Sequence, residues 1–232
     1  MNTGKRVSVV IPAYNEQNYI EKTISAISNW GINAEIIVVD DGSKDKTGKI
    51  MQDFMQKGII KAIFLENNLG KGQALMQGIK YANGDLIMFL DADLGESAEF
   101  AVQLIEPLVN DDLDMTIAVL PKAIKKGGLG LVKGLAGKGI YYFTGFKSEA
   151  PLSGQRAFKR RIINEISSFT DGFGIEVGFT IDVLKKGFLI REVKIPLKHR
   201  ETGRDIKGFL HRGKEFLAVL KALIYIAGKY RI

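Results

Sequence analysis

Three polar clusters each close a strongly apolar run, and their residue types set the chemistry this chain can do. Asp91-Ala92-Asp93 follows Asp85–Leu90 (DLIMFL). Two carboxylates two positions apart, held on a strand-to-loop turn, can converge on one hard divalent cation. Mg2+ or Mn2+ takes such oxygen ligands and leaves positions open for phosphate oxygens. A cation held there would neutralise a departing pyrophosphate. A bare D-x-D is also a common turn at a strand end, so its weight comes from its neighbours. Asp40-Asp41-Gly42-Ser43 ends the run Glu35–Asp40 (EIIVVD). A carboxylate there can bind a ribose hydroxyl or a base N–H, or simply form a D-G turn. Pro12-Ala13-Tyr14-Asn15-Glu16 ends the run Arg6–Ala13 (RVSVVIPA) in the same way.

Other residues join these clusters. Leu69-Gly70-Lys71-Gly72-Gln73-Ala74 opens a helical pattern. Its glycines allow close backbone approach, and a helix N-terminus favours negative charge, so Lys71 would point toward a nucleotide. The spacing is not that of a Walker A loop, and no Ser or Thr follows the lysine. Histidine is confined to His199 and His211. His199, in Lys198-His199-Arg200, could complete a metal site, and Arg200 could grip a phosphate or carboxylate; the alternative is an exposed basic loop. Glu176 opens a helical pattern where an acid suits the dipole, or else it is a carboxylate facing the acceptor or the reaction. His211 is given no role.

The elements that must position these residues follow from periodicity. Buried strands are expected at Arg6–Ala13, Glu35–Asp40 and Asp85–Leu90, strand-like segments at Ile60–Leu65 and Asp114–Leu120, and helices at Glu16–Trp30, Lys46–Lys57, Lys71–Ala82 and Ala98–Val109. Alternation of this kind implies a mostly parallel sheet with helices on both faces, and ligands then bind at the C-terminal ends of the strands. All three clusters lie at such ends. Lys122–Lys138 carries five lysines and no acidic residue, and it reads as a mobile basic segment over the site or a solvated loop leading into a helix. Ser153–Phe158 reads as a strand, Ile175–Lys185 as a helix, Phe188–Pro196 as a strand and Lys207–Lys229 as a long final helix. The last contains Phe216–Ala227 (FLAVLKALIYIA), too short to span a bilayer; it would pack on the domain or lie on a membrane surface.

The bulk numbers exclude some classes. A chain of 232 residues suffices for one α/β domain, and the absence of cysteine rules out disulfides and thiolate metal sites. The excess of 33 Lys and Arg over 26 Asp and Glu favours anionic partners. No nucleic-acid-binding signature accompanies it, so phosphorylated substrates or anionic lipid are expected. The short polar stretch Met1–Arg6 reads neither as a signal peptide nor as an anchor, and a cytoplasmic location is expected, with the inner membrane face as an option.

VSVVIPAYNE, VVDDGSKDKT, NNLGKGQALMQGIKYANGD and FLDADL, in this order, resemble the family 2 glycosyltransferases of the GT-A fold. The resemblance implies a single α/β, Rossmann-like domain, with residues 1–120 as the nucleotide-sugar half and 121–232 as the acceptor half carrying the C-terminal helix. It implies that Pro12, Ala13, Tyr14 and Glu16 line the nucleoside pocket and that Asp40, Asp41 and Ser43 lie near base and ribose. Lys71 would approach the nucleotide, Asp91, Ala92 and Asp93 would form the D-x-D, and Asp91, Asp93 and His199 would hold the metal. The second half resembles two subfamilies. GFGIEVGFTIDVL and the sequence around His199 are similar to glucosyl-3-phosphoglycerate synthases. KKGGLGLVKG, LSGQRAFKR and IPLKHRETGRD are similar to polyprenyl-phosphate sugar transferases, which would put Ser153, Gly154, Gln155 and Arg156 on the acceptor side.

The expected activity is hexosyl transfer from a nucleotide-diphosphate sugar, with UDP favoured, to an anionic acceptor, with Mg2+ or Mn2+ as cofactor. Asp93, Glu176 and Arg200 are the catalytic candidates, and Arg156 and Arg200 would fix the acceptor. A small acid like 3-phosphoglycerate is placed first as acceptor and a polyprenyl phosphate at a membrane surface second. A homodimer is left open. A nucleotidyltransferase would carry a glycine-rich basic loop after the first strand, which PAYNE is not; an inactive binding module is opposed by the intact D-x-D.

Overall fold

The computed structural model describes residues 4–121, 130–166, 174–198 and 206–230. The strands are β1 (Val7–Ala13), β2 (Ala34–Asp40), β3 (Ile60–Phe64), β4 (Leu86–Phe89), β5 (Met115–Val119), β6 (Arg156–Lys159) and β7 (Ile190–Lys194). They form one sheet in the order β3-β2-β1-β4-β6-β5-β7. All pairings are parallel except those of β6, which runs antiparallel to both β4 and β5. The expected mostly parallel α/β domain is observed. The reversal of β6 is new: an antiparallel strand begins at the edge where its neighbours end, so residues just before Arg156 arrive beside the C-terminal ends of β1 and β4.

The helices are α1 (Ile20–Ser28), α2 (Thr47–Gln56), α3 (Lys71–Tyr81), α4 (Glu106–Asn110), α5 (Leu131–Thr144), α6 (Arg161–Glu165), α7 (Ile175–Lys185) and α8 (Ile206–Tyr230). Alternating residues of β1 divide the core. Val7, Val9 and Ile11 pack with Ile20, Ile24 and Ile27 of α1 and Met51 and Phe54 of α2. On the other face Val10 packs with Leu75 and Ile79 of α3 and with Ile175, Phe179 and Val183 of α7. The region expected as one helix over Ala98–Val109 is instead a 3-10 segment, Gly95–Leu104, followed by α4. Pro107 at the start of α4 lacks the N–H that an uninterrupted helix would need there.

One face carries a third layer. Every residue of α7 from Ile175 to Val183 is buried. Its Val177 and Ile181 pack outward against Ala136, Ile140 and Phe143 of α5 and Val219 and Ile226 of α8. The close approach has a specific cause: a Cβ on Gly174 would lie 2.5 Å from Ala222 Cβ and 2.9 Å from the carbonyl of Ala218. The C-terminal end of α8 is fastened by Lys229 Nζ and Tyr230 Oη, which donate to Asp182 at 2.7 and 2.8 Å. In the segment Lys122–Lys138, expected as a mobile basic stretch or a loop leading into a helix, Gly130 caps α5 and 131–138 form its first turns; 122–129 lie outside the described residues.

Candidate active site

The first strand-end loop is sewn to the second. Asn15 adopts φ 57°, a left-handed conformation that Asn tolerates better than most residues. Its N–H donates to Ser43 Oγ at 2.9 Å and its Oδ1 accepts the N–H of Lys44 at 2.8 Å. Glu16 N–H donates to Thr47 Oγ1 at 2.8 Å, and Gln17 N–H to Asp45 Oδ2 at 3.2 Å. These contacts delay the start of α1 to Ile20, four residues later than periodicity implied. Tyr14 is exposed beside them, while Pro12 is half-buried and Ala13 buried.

Both expected ribose carboxylates are buried and shape the loops around them. Asp41 accepts the N–H groups of Leu69 and Gly70, each at 2.8 Å, which ties the start of α3 to the end of β2. Asp40 Oδ1 accepts the N–H of Ser43 at 2.9 Å. Gly42 has φ +74°, and a Cβ there would fall 2.7 Å from the carbonyl carbon of Asn67, so the D-G turn is sterically required as well. The turn reading and the loop-organising role therefore coexist.

The third cluster is where charge collects. Lys71 Nζ, at the first position of α3, lies 2.8 Å from Asp91 Oδ1 and 3.0 Å from Glu176 Oε1 of α7. Burial alone would lower the lysine pKa, but the two carboxylates outweigh it and raise the pKa, so this ammonium stays charged. Gln155 Oε1 accepts the N–H of Asp91 at 2.9 Å, and Gln155 Nε2 donates to Asp91 Oδ2 at 2.6 Å. Gly154 sits against this group; a Cβ on it would lie 2.4 Å from Lys71 Nζ and 3.1 Å from Asp91 Oδ2. The structure thus brings together Lys71, Asp91, Gly154, Gln155 and Glu176 from four separate segments. Asp93 follows two residues after Asp91 on the same turn and is half-buried.

Gln155 and Arg156, which the resemblance put on the acceptor side, both direct their side chains inward. Arg156 is 2% exposed. It donates to the carbonyls of Ser153 and Glu176 at 2.5 and 3.3 Å and to Thr180 Oγ1 at 3.4 Å, and it lies over the Phe179 ring. Burial lowers its pKa to about 10, against the opposing pull of Glu176 and Asp91. Its guanidinium is directed at α7 and the turn before β6, where it fixes the placement of Glu176. Ser153 Oγ is buried and finds no partner among the described residues. His199 and Arg200 lie outside the described residues.

A residue that sequence reasoning missed holds the D-x-D turn. Thr23, fully buried on α1, donates from Oγ1 to the carbonyl of Ala92 and accepts the N–H of Gly95, both at 2.8 Å. Ala92 is accordingly a buried support for the turn. The signal was present: Thr23 is the polar member of the otherwise apolar stripe Ile20, Ile24, Ile27.

The donor set suits Mg2+ or Mn2+. It offers carboxylate oxygens without thiolate or a described imidazole, and among the described residues no group of three or more His, Cys, Asp or Glu is placed to hold a metal alone. Such a pair leaves positions for phosphate oxygens, as hard divalent ions in nucleotide sites require.

Residues 8–166 match the family described as Glycosyl transferase family 2. The chain belongs to this family. It is 31% identical to the dolichol-phosphate mannosyltransferase of Pyrococcus furiosus over 82% of this chain and 55% of that protein. It is 30% identical to an undecaprenyl-phosphate 4-deoxy-4-formamido-L-arabinose transferase of Edwardsiella ictaluri over 88% of this chain and 63% of that protein. The chain therefore spans less than two thirds of the length of either relative. Among solved structures it resembles the glucosyl-3-phosphoglycerate synthase of Mycobacterium tuberculosis in complex with Mg2+ and UDP. That likeness has a TM-score of 0.78 at 26% identity and covers 97% of this chain and 80% of that one. The same enzyme with Mn2+, UDP-glucose and phosphoglyceric acid gives a TM-score of 0.77 at 26% identity, covering 97% and 80%.

Proposed function

We propose that this chain transfers a hexosyl group from a nucleoside-diphosphate sugar to the phosphate of a polyprenyl phosphate at a membrane surface. The observation that carries the choice of acceptor is the outer face of α5 and α8. Helix α8 has two apolar stripes. Val219, Ala222 and Ile226 face inward, whereas Leu217, Leu220, Ile224 and Tyr225 are exposed; Leu131, Tyr141 and Tyr142 of α5 are exposed as well. Ile224 is 64% and Tyr142 72% exposed. Lys133, Lys138 and Lys221 are exposed on the same two helices. Apolar side chains interleaved with lysine suit an anionic bilayer surface. No described helix is long and apolar enough to cross a membrane. The two polyprenyl-phosphate-named relatives support the same acceptor class.

In this reading the donor lies at the C-terminal edge of β1, β2 and β4, with Tyr14 and the Asp40–Ser43 turn beside the nucleoside. Uridine is favoured because the structural neighbours hold UDP. Asp91 and Asp93 hold the divalent cation, with His199 as a further ligand; when bound, the cation supplies charge neutralisation for the diphosphate leaving group. Lys71 keeps its positive charge against Asp91 and Glu176 and lies where the diphosphate would approach. Gly154 admits this lysine because it has no side chain. Arg200 meets the acceptor phosphate. A phosphate monoester oxygen is already anionic at neutral pH, so no protein base is needed to activate it.

A small acid such as 3-phosphoglycerate is the second reading, favoured by the synthase structures that superpose on 97% of this chain. One assay separates them: release of UDP from UDP-glucose with Mn2+, in the presence of either polyprenyl phosphate in detergent or 3-phosphoglycerate. Stimulation by the lipid alone is expected. Stimulation by phosphoglycerate alone would reverse the choice of acceptor. Asp93→Ala should abolish turnover with the fold intact, and near-normal activity in that variant would refute the metal assignment.

A further inference from the structure

Both halves of the Gln155 amide are devoted to one residue. Its carbonyl accepts the backbone N–H of Asp91 while its NH2 donates to the Asp91 carboxylate. A primary amide is the side chain that carries an acceptor and a donor on one head without charge. The head cannot easily turn away. Gln155 is 3% exposed, and its own carbonyl accepts the N–H of Ala118, which pins its backbone to the end of β5. Gln155 thus holds Asp91 at two points, its main chain where the D-x-D turn begins and its Oδ2, while Lys71 holds Oδ1 at 2.8 Å.

This geometry has a consequence for binding a cation. A free aspartate samples several rotamers, and ordering it would oppose binding. The Gln155 contact orders it in advance. The donor is neutral, so it restrains one oxygen without adding a positive charge that would repel the ion. We infer that Gln155 is a positioning residue that presents Asp91 to the divalent cation, and that it makes no contact with the acceptor. The inference rests on the proposed metal role of Asp91.

The test is Mn2+ affinity with saturating UDP, followed by the electron paramagnetic resonance signal of free Mn2+, in wild type, Gln155→Leu and Gln155→Asn. Residues that hydrogen-bond metal ligands typically change affinity about 10–100-fold when replaced. A rise of that size in the Mn2+ Kd is expected for Gln155→Leu. Gln155→Asn keeps the amide but is one methylene shorter and cannot span both atoms, so the same direction is expected; it carries the test if the Leu variant does not fold. A Kd for Mn2+ unchanged from wild type in a folded variant overturns the inference. So does a variant whose KM for the acceptor rises while Mn2+ affinity is retained. If wild type itself binds no Mn2+ with UDP present, the metal reading of Asp91 fails, and the inference falls with it.

Discussion

Replacing Gly154 by alanine probes the charge cluster with a single carbon atom. The added Cβ would lie 2.4 Å from Lys71 Nζ. Non-bonded heavy atoms are at ease near about 3.5 Å, so the ammonium must withdraw by roughly 1 Å. The Lys71–Asp91 contact of 2.8 Å would then lengthen beyond hydrogen-bonding distance. Both side chains are about one-third exposed, so solvent screening limits the loss of stability to about 0.5–1 kcal/mol. For a domain of this size that is a fall in Tm of about 1–4 °C. Function should suffer far more. A displacement of about 1 Å at a reacting centre can cost on the order of 100-fold in rate, which is about 2.7 kcal/mol of transition-state stabilisation. The assay is UDP release with donor and acceptor saturating, paired with a thermal melt of the same preparation. A folded Gly154→Ala protein with wild-type turnover would show that the Lys71–Asp91 contact is irrelevant to the reaction and would refute the argument. A large fall in Tm would mean that the glycine serves packing rather than the site.

Three further outcomes follow from other parts of the molecule. Thr23→Val keeps the shape of the side chain but leaves the carbonyl of Ala92 and the N–H of Gly95 without their buried partner; a loss of about 2 kcal/mol or more and a Tm lower by about 4–8 °C are expected, and an unchanged Tm would refute it. Glu35 is pressed up by burial, but hydrogen bonds from Lys61, Ser8 and the N–H of Asn83 prevail and bring its pKa from 4.5 to about 2. A depressed acid stabilises the fold above its unfolded pKa and loses that contribution as pH falls through the folded value, here between about pH 4.5 and 2, amounting to at most about 3 kcal/mol; Glu35→Gln should melt with a flatter pH dependence over that window. Leu217→Asp combined with Ile224→Asp removes two exposed apolar groups from α8, so flotation with anionic liposomes should weaken at least about ten-fold while Tm stays nearly unchanged; unaltered flotation would remove this face from the membrane contact.

Much of the first half of the chain is legible because parallel α/β units obey a simple rule. Apolar runs such as DLIMFL must be strands buried on both faces, and polar residues at their ends must share one edge. By that rule Asp40 and Asp91 are expected at one edge of the sheet, and Lys71, expected at a helix start, lies against Asp91. Direction of a side chain within the crevice did not follow from spacing. Asp41 looked like a ligand for ribose, yet its carboxylate accepts two loop N–H groups. Whether a loop aspartate serves the loop or a ligand depends on which N–H groups the folded backbone brings near, and those come from residues 28 and 29 positions away. Thr23 shows the same limit: its polar character on an apolar stripe was visible, but its partners at Ala92 and Gly95 were not.

The reversal of β6 explains why the second half was harder to read. The strand expected at Ser153–Phe158 overlaps β6 only at Arg156–Phe158, its first three residues forming the turn before it, and sequence pattern does not state direction. Because β6 pairs antiparallel with β4, Phe89 faces Arg156 across the sheet, and the turn just before β6 delivers Ser153, Gly154 and Gln155 to the edge where β4 ends. Gly154 and Gln155 therefore meet Asp91 itself, and Gln155, which the resemblance put on the acceptor side together with Ser153, Gly154 and Arg156, grips the Asp91 carboxylate. The same reversal lets Arg156 reach under α7, where it accounts for the fixed position of Glu176 opposite Lys71. The start of α3, the turn after β4, the turn before β6 and the start of α7 are thus mechanically one unit. A substitution before β6 should disturb cation binding as readily as acceptor binding, and one on α7 should be felt at the D-x-D through Lys71.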